Sequence, residues 1–207
     1  MQQISTARSE SQILATNKVL RNTYALLSMT LLFSAATAGI SMVMNLPFFN
    51  PILTLVGYFG LLFATAKFRN SSLGLLFVFM LTGFMGLTLG PILNAYLATA
   101  NGSQLVMTAL GGTGVIFLAL SGYALTSRKD FSFMGGFLMV GILVAFLGGI
   151  GAMIFEMPLM SLAVSGMFVL LMSGLILFET SNIIHGGETN YIMATMTLYI
   201  SIYNLFL

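Results

Sequence analysis

The chain has no cysteine and no tryptophan, a single histidine, and only five acidic and seven basic residues in 207. Lacking cysteine, it can form no disulfide and no thiolate metal site. Lacking tryptophan, any aromatic belt at a membrane surface must come from Tyr and Phe. Charged residues make up 6% of the chain, whereas soluble domains carry about 25%. So few charges cannot cover a water-facing surface. Lipid is therefore the expected solvent for most of the length.

What is present agrees with this. Hydrophobic residues are 58% of the chain and the mean hydropathy is +1.02. The apolar runs are continuous and do not alternate with polar residues, which excludes the strands of a membrane β-barrel and predicts helices. Seven runs can be read, at about 23–44, 52–67, 72–97, 104–126, 132–155, 159–183 and 190 to the end. Between them lie turn-forming segments: "NLPFFNP", "RNSS", "TANGSQ", "SRKD", "FEMP" and "HGGETN". Pro91 is expected to kink or end the third helix, because it has no N–H to give the ladder. The first run is too long for a signal-peptide core and follows a polar segment, so it reads as a retained helix. The seventh stops at Leu207 with no polar terminus. A span needs roughly 20 residues, so the natural chain is expected to continue somewhat further.

Residues 1–21 read as a cytoplasmic N-terminal tail, flexible over residues 1–11, and residues 22–207 as a seven-helix transmembrane domain. Ile13, Leu14, Asn17, Leu20 and Tyr24 offer a short interfacial face that runs into the first span. All seven basic residues fall on one side of a seven-span chain: Arg8, Lys18 and Arg21, then Lys67 and Arg69, then Arg128 and Lys129. The positive-inside rule then puts the N-terminus in the cytoplasm and the C-terminus in the periplasm. On this reading the net charge of +2 reports topology and does not point to nucleic acid.

The scarce ionisable groups concentrate in "FETSNIIHGGETNYI", residues 178–192. Glu179 is expected about five residues inside the sixth span, roughly 7 Å deep at 1.5 Å per residue. A carboxylate there must face the bundle or a wet cavity. Asn182 shares its helix face. Lys67 and Arg69 enter from the same side as candidate partners. Two readings stand together: a titratable or ion-coordinating site, and a polar clamp between helices. On the seventh span Thr197, Ser201 and Asn204 line one face, where interhelical hydrogen bonding is favoured over a conduction path. His185 with Glu188 is half of a metal motif and lacks further ligands, so a turn residue or a pH-sensitive cytoplasmic contact is expected, with no metal and no cofactor. The Gly-rich runs "GGTG", "MGGFLMVG" and "LGGIG" lack the Lys-Ser/Thr of a phosphate loop. They read as close-packing positions, as do Gly86 and Gly90. No nucleophile and base fall together, so an enzyme is not expected.

Several stretches together resemble the Bax-inhibitor-1 family of seven-span membrane proteins: "TGFMGLTLGPIL", "SRKDFSFMGGFL", "LFETSNIIHGGETNYI" and "LYISIYNLF". The third, with "NKVLRNTYALLS", is similar to the bacterial branch that modulates the FtsH protease. The resemblance implies a buried last helix surrounded by six others, with the N-terminus inside. It also implies an inner-membrane inhibitor and slow substrate of the membrane-anchored AAA+ protease FtsH and its associated membrane regulators, gripped by the N-terminal tail. Other family members leak calcium or protons through an acidic pair in the last two helices, and a leak channel is the alternative function. Glu179 matches the first acid of that pair. Ser201 stands at the second position, where the family has an acid.

Overall fold

A computed structural model describes residues 14–207 in full and only the backbone of residues 2–13. The flexible tail expected at residues 1–11 lies outside the fully described residues. Among the described residues the elements are seven helices: α1 Gln2–Val43, α2 Pro51–Lys67, α3 Ser72–Leu97, α4 Gly102–Ser127, α5 Met134–Ile154, α6 Pro158–Ile184 and α7 Tyr191–Phe206. No strand occurs among the described residues. Five helices (α1 from Leu14, α3, α4, α5 and α6) are long and apolar enough to cross a membrane, while α2 and α7 are shorter, at 17 and 16 residues. α1 runs unbroken across the domain boundary expected at residue 22.

Local chemistry sets the helix ends. Asn50 caps α2, its Oδ1 accepting the Ile52 N–H at 2.9 Å, with Pro51 at the first helical position. Pro158 opens α6 in the same way. α6 ends at Ile184, and two residues on Gly186, with a φ of +77°, lets the chain reverse. The Gly187 N–H then reaches back to the Asn182 carbonyl at 2.9 Å, closing the end of the helix.

α7 is the centre of the bundle. It packs on α1, α2, α3, α4 and α6, and nine of its sixteen residues are buried. The buried last helix expected from the resemblance is therefore present. The ring around it differs from the expectation. Five helices surround α7, while α5 packs on α6 alone among the described residues. The polarity of the sequence explains the choice. α7 carries Thr195, Tyr199, Ser201 and Asn204, groups that lipid cannot satisfy, whereas α5 is apolar almost throughout.

Pro91 does not end α3, which continues to Leu97. Without a proline N–H, the Leu87 carbonyl would have no partner in the helix ladder. The Ser41 hydroxyl of α1 donates to it at 2.8 Å. α1 and α3 meet here through small residues. A Cβ on Gly86 would collide with the Ser34 carbonyl and Thr37 Oγ1, and one on Gly90 with Ser41. This is the close packing expected of glycine in lipid. The "GGTG" run does not share it. Gly111, Gly112 and Gly114 have open space where a Cβ would stand, because that side of α4 has no helix against it. Gly135 and Gly141 of α5 do approach α6, at Phe178 and Leu171, whereas Gly136 and Gly151 face open space.

Candidate functional site at the basic end of the bundle

The turn between α6 and α7 lies where the other loops of its end converge. Asn190 caps α7, its Oδ1 accepting the N–H groups of Ile192 and Met193 at 3.0 and 3.1 Å. Its Nδ2 donates to the Arg69 carbonyl at 3.0 Å and to Asn70 Oδ1 at 2.9 Å, so one side chain starts α7 and fastens the α2–α3 loop. Glu188 Oε1 accepts the Asn190 N–H at 2.7 Å and fixes the turn from within. Asn190→Ala removes both the cap and the tether. It should destabilise the protein by about 1–2 kcal/mol. Thermal unfolding in detergent checks the loss, and limited proteolysis should show earlier cutting between α2 and α3.

On its other flank the turn holds the α4–α5 loop. Ser181 Oγ donates to the Lys129 carbonyl and accepts the Phe131 N–H, each at 3.0 Å. His185 Nδ1 lies 2.8 Å from the Ser181 carbonyl, and Nε2 lies 3.1 Å from the Arg128 carbonyl. Arg128 stands in the left-handed region at φ 49° and turns the chain out of α4. In the loop, the Ser132 N–H donates to Asp130 Oδ1 at 2.9 Å and, ahead of the weaker pull of His185, holds this carboxyl below the ordinary carboxylate range.

These links bring the basic residues together. Lys18, Arg21, Lys67, Arg69, Arg128 and Lys129 are all exposed, and the α2–α3 and α4–α5 loops, which carry Arg69, Arg128 and Lys129, both meet the α6–α7 turn. A crevice of about 640 Å³ opens at this end, lined by Asn17 and Leu20 of α1, Leu125 of α4, Arg128 just after it, and His185 and Glu188 of the turn. The turn residues His185 and Glu188 thus form one wall of this crevice.

Glu179 lies deeper, 5% exposed. The partners expected for it are engaged elsewhere. α2 and α6 do not pack together, and Lys67 Nζ sits 5.8 Å from the centre of the Phe68 ring. It is the Arg69 backbone carbonyl that meets the α6–α7 turn. Ser201 Oγ and Asn204 Nδ2 donate within their own helix, to the Thr197 and Ile200 carbonyls at 2.8 Å each. Asn182 Oδ1 lies against Gly187, at the turn. The neighbours of Glu179 in sequence, Thr180 and Ser181, face Tyr24 and the α4–α5 loop respectively. Glu179 is therefore a buried carboxylate without a basic partner among the described residues. The polar set read from the sequence does not converge on it. Among the described residues no three His, Cys, Asp or Glu side chains stand close enough to hold a metal.

Sequence reasoning missed the polar centre of the bundle. Tyr199 is 1% exposed. Its hydroxyl donates to the Thr82 carbonyl at 3.2 Å and accepts from Ser34 Oγ at 2.6 Å, which joins α7 to α3 and α1. Tyr203 adds a bond to the Met85 carbonyl at 3.3 Å. A hydroxylated aromatic within an apolar span was the available signal, because its O–H needs a partner in lipid. Asn190 gave another, a capping residue directly before an apolar run.

The sequence is similar to those of known proteins. Residues 16–207 match the family described as "Inhibitor of apoptosis-promoting Bax1". The chain is similar to the Escherichia coli K12 protein named modulator of FtsH protease YccA, 53% identical over 203 residues, spanning 98% of this chain and 92% of the relative. An uncharacterised protein of Pseudomonas aeruginosa is 51% identical over 189 residues, 91% of this chain and 85% of its own length. A Neisseria meningitidis protein is 32% identical over 200 residues, 92% of this chain and 87% of its own length. With the family matched from residue 16 to the last position, this seven-helix chain belongs to the Bax-inhibitor-1 family of membrane proteins.

Proposed function

We propose that this protein is an inner-membrane modulator of an FtsH-type protease, at once its inhibitor and its slow substrate, engaged through the N-terminal segment. The carrying observation is the 53% identity, over 98% of the chain, to the Escherichia coli protein named for that role. A protein of another Escherichia coli strain, also 53% identical over 203 residues, is named an inner membrane protein. On this reading all seven helices span the bilayer. The exposed basic end lies in the cytoplasm, with the C-terminus in the periplasm.

The mechanism follows from the contrast between the two parts of the chain. Residues 1–21 are a polar cytoplasmic arm that an AAA+ motor can grip, and residues 22–207 are a bundle that resists extraction. A bundle tied through α7 to five other helices must lose many contacts before its first helix leaves. During that time the protease is occupied and other membrane proteins are spared. The cation-leak alternative lacks the acid pair that the resemblance calls for: Ser201 stands at the second position, and its hydroxyl bonds to its own helix.

Deleting residues 1–12 should lengthen the lifetime of the protein several-fold in cells that contain the protease. Association should persist in a pull-down from membranes. Unchanged turnover would refute the handle, and loss of association would place the contact in the arm itself.

A further inference from the structure

The two ring nitrogens of His185 both face backbone carbonyls, of Ser181 at 2.8 Å and of Arg128 at 3.1 Å. A carbonyl accepts and cannot donate. A neutral imidazole has one N–H, and an imidazolium has two. The ring therefore completes both bonds only when it carries a proton on each nitrogen. Ser181 Oγ, 3.3 Å from Nδ1, gives little help to a neutral ring. Its single proton goes to the Lys129 carbonyl, and it accepts the Phe131 N–H.

Charges of both signs surround the ring. Arg128 is the C-terminal cap of α4 and Ser181 lies in the last turn of α6. The ring thus sits between the C-terminal ends of two helices, where carbonyl dipoles present negative charge. Asp130 acts on it from the α4–α5 loop, and Glu188 belongs to its own turn. Against these stand the exposed Arg128 and Lys129 of that loop and Lys18 and Arg21 of α1. Glu179, buried six positions earlier on α6, is the remaining ionisable group of that end of the helix.

We propose that His185 is a proton-operated clasp between the α6–α7 turn and the α4–α5 loop. Doubly protonated, it holds the Arg128 carbonyl and closes that wall of the crevice. With one proton lost, it keeps the bond within its own helix or the bond across to the loop, but not both. The loop is then held by Ser181 alone. The clasp is a regulatory property of the cytoplasmic face and stands whether or not the protein meets a protease.

Because the chain has a single histidine, ring ¹⁵N labelling of the full protein in nanodiscs reports this residue alone. At about pH 5.5, below the ordinary histidine range, both nitrogens should be protonated. Amide exchange at Phe131, corrected for intrinsic rate, should be roughly tenfold slower there than at about pH 7.5, the worth of one charge-assisted hydrogen bond. His185→Gln should remove the pH dependence. Asp130→Asn leaves the bonding atoms of the clasp in place and should move the change to lower pH. A ring with one proton at about pH 5.5, or exchange at Phe131 that keeps its pH dependence in His185→Gln, would overturn the proposal. Were the Gln variant to misfold, the ring signals and the Asp130→Asn shift decide the matter.

Discussion

A Gly86→Leu substitution should unfold the bundle more easily by about 3 kcal/mol. At Gly86, α3 lies directly on α1. The space a Cβ would need is held by the Ser34 carbonyl and Thr37 Oγ1. A rotamer change relieves a clash with a side chain but not one with a backbone carbonyl, so the two helices must separate. Separation also strains the Ser41 bond to the Leu87 carbonyl, which Pro91 leaves without a helical partner. Thermal unfolding in detergent measures the effect. Gly112→Ala is the matched control, since nothing stands within 4 Å of its Cβ position. Alanine there should leave the stability unchanged or raise it by a few tenths of a kcal/mol. Equal losses at the two positions would show that α1 and α3 do not meet through Gly86.

Tyr199→Ala should cost about 4 kcal/mol. The ring is the largest fully buried side chain of the core, and its removal opens a cavity where α1, α3 and α7 meet. Tyr199→Phe separates the two contributions of this residue. It keeps the ring and leaves Ser34 Oγ and the Thr82 carbonyl without the hydroxyl that joins them. About 1–2 kcal/mol should be lost. A Phe variant as unstable as the Ala variant would mean that hydrogen bonding, not packing, carries the site. A Phe variant as stable as the parent would mean that Ser34 and Thr82 find other partners in their own helices.

Both predictions arise from the way lipid inverts the usual rule for interiors. Leu159, Val43 and Leu162 are 84%, 83% and 72% exposed, while Thr23, Ser41, Thr82 and Ser201 are fully buried. Apolar side chains gain nothing by leaving lipid, so they do not mark the core. Hydroxyls do, because only other protein groups can satisfy them there. The outer position of α5 and the central position of α7 follow this rule. It could have been applied to the sequence more widely than to Thr197, Ser201 and Asn204.

Within the candidate site the sequence was informative to different degrees. It identified Glu179 as lying inside a helix and His185 and Glu188 as belonging to a turn, because helix limits follow from apolar runs and from Gly186. It could not assign partners. Glu179 was expected to meet Lys67 or Arg69, since all enter from one side, yet α2 packs on α3 and α7 and not on α6. Which helices become neighbours depends on the fit of their surfaces. Helical runs of similar hydropathy carry little information about that fit. The contacts that organise the basic end are made largely to backbone carbonyls, at Arg69, Arg128, Lys129 and Ser181. A carbonyl has no letter in the sequence, and its availability is known only once the loops are in place.

Composition and pattern by themselves determined a helical protein built for lipid, the position of its seven helices, and the gathering of its basic residues at one end. These properties are local or additive, so a linear reading suffices for them. The tertiary structure alone decided that α7 is central, that α5 stands outside, that Gly86 is a close contact and Gly112 is not, and that His185 bonds two carbonyls at once. Each depends on which surfaces meet across the bundle, and the sequence holds that information only in combinations of residues far apart along the chain.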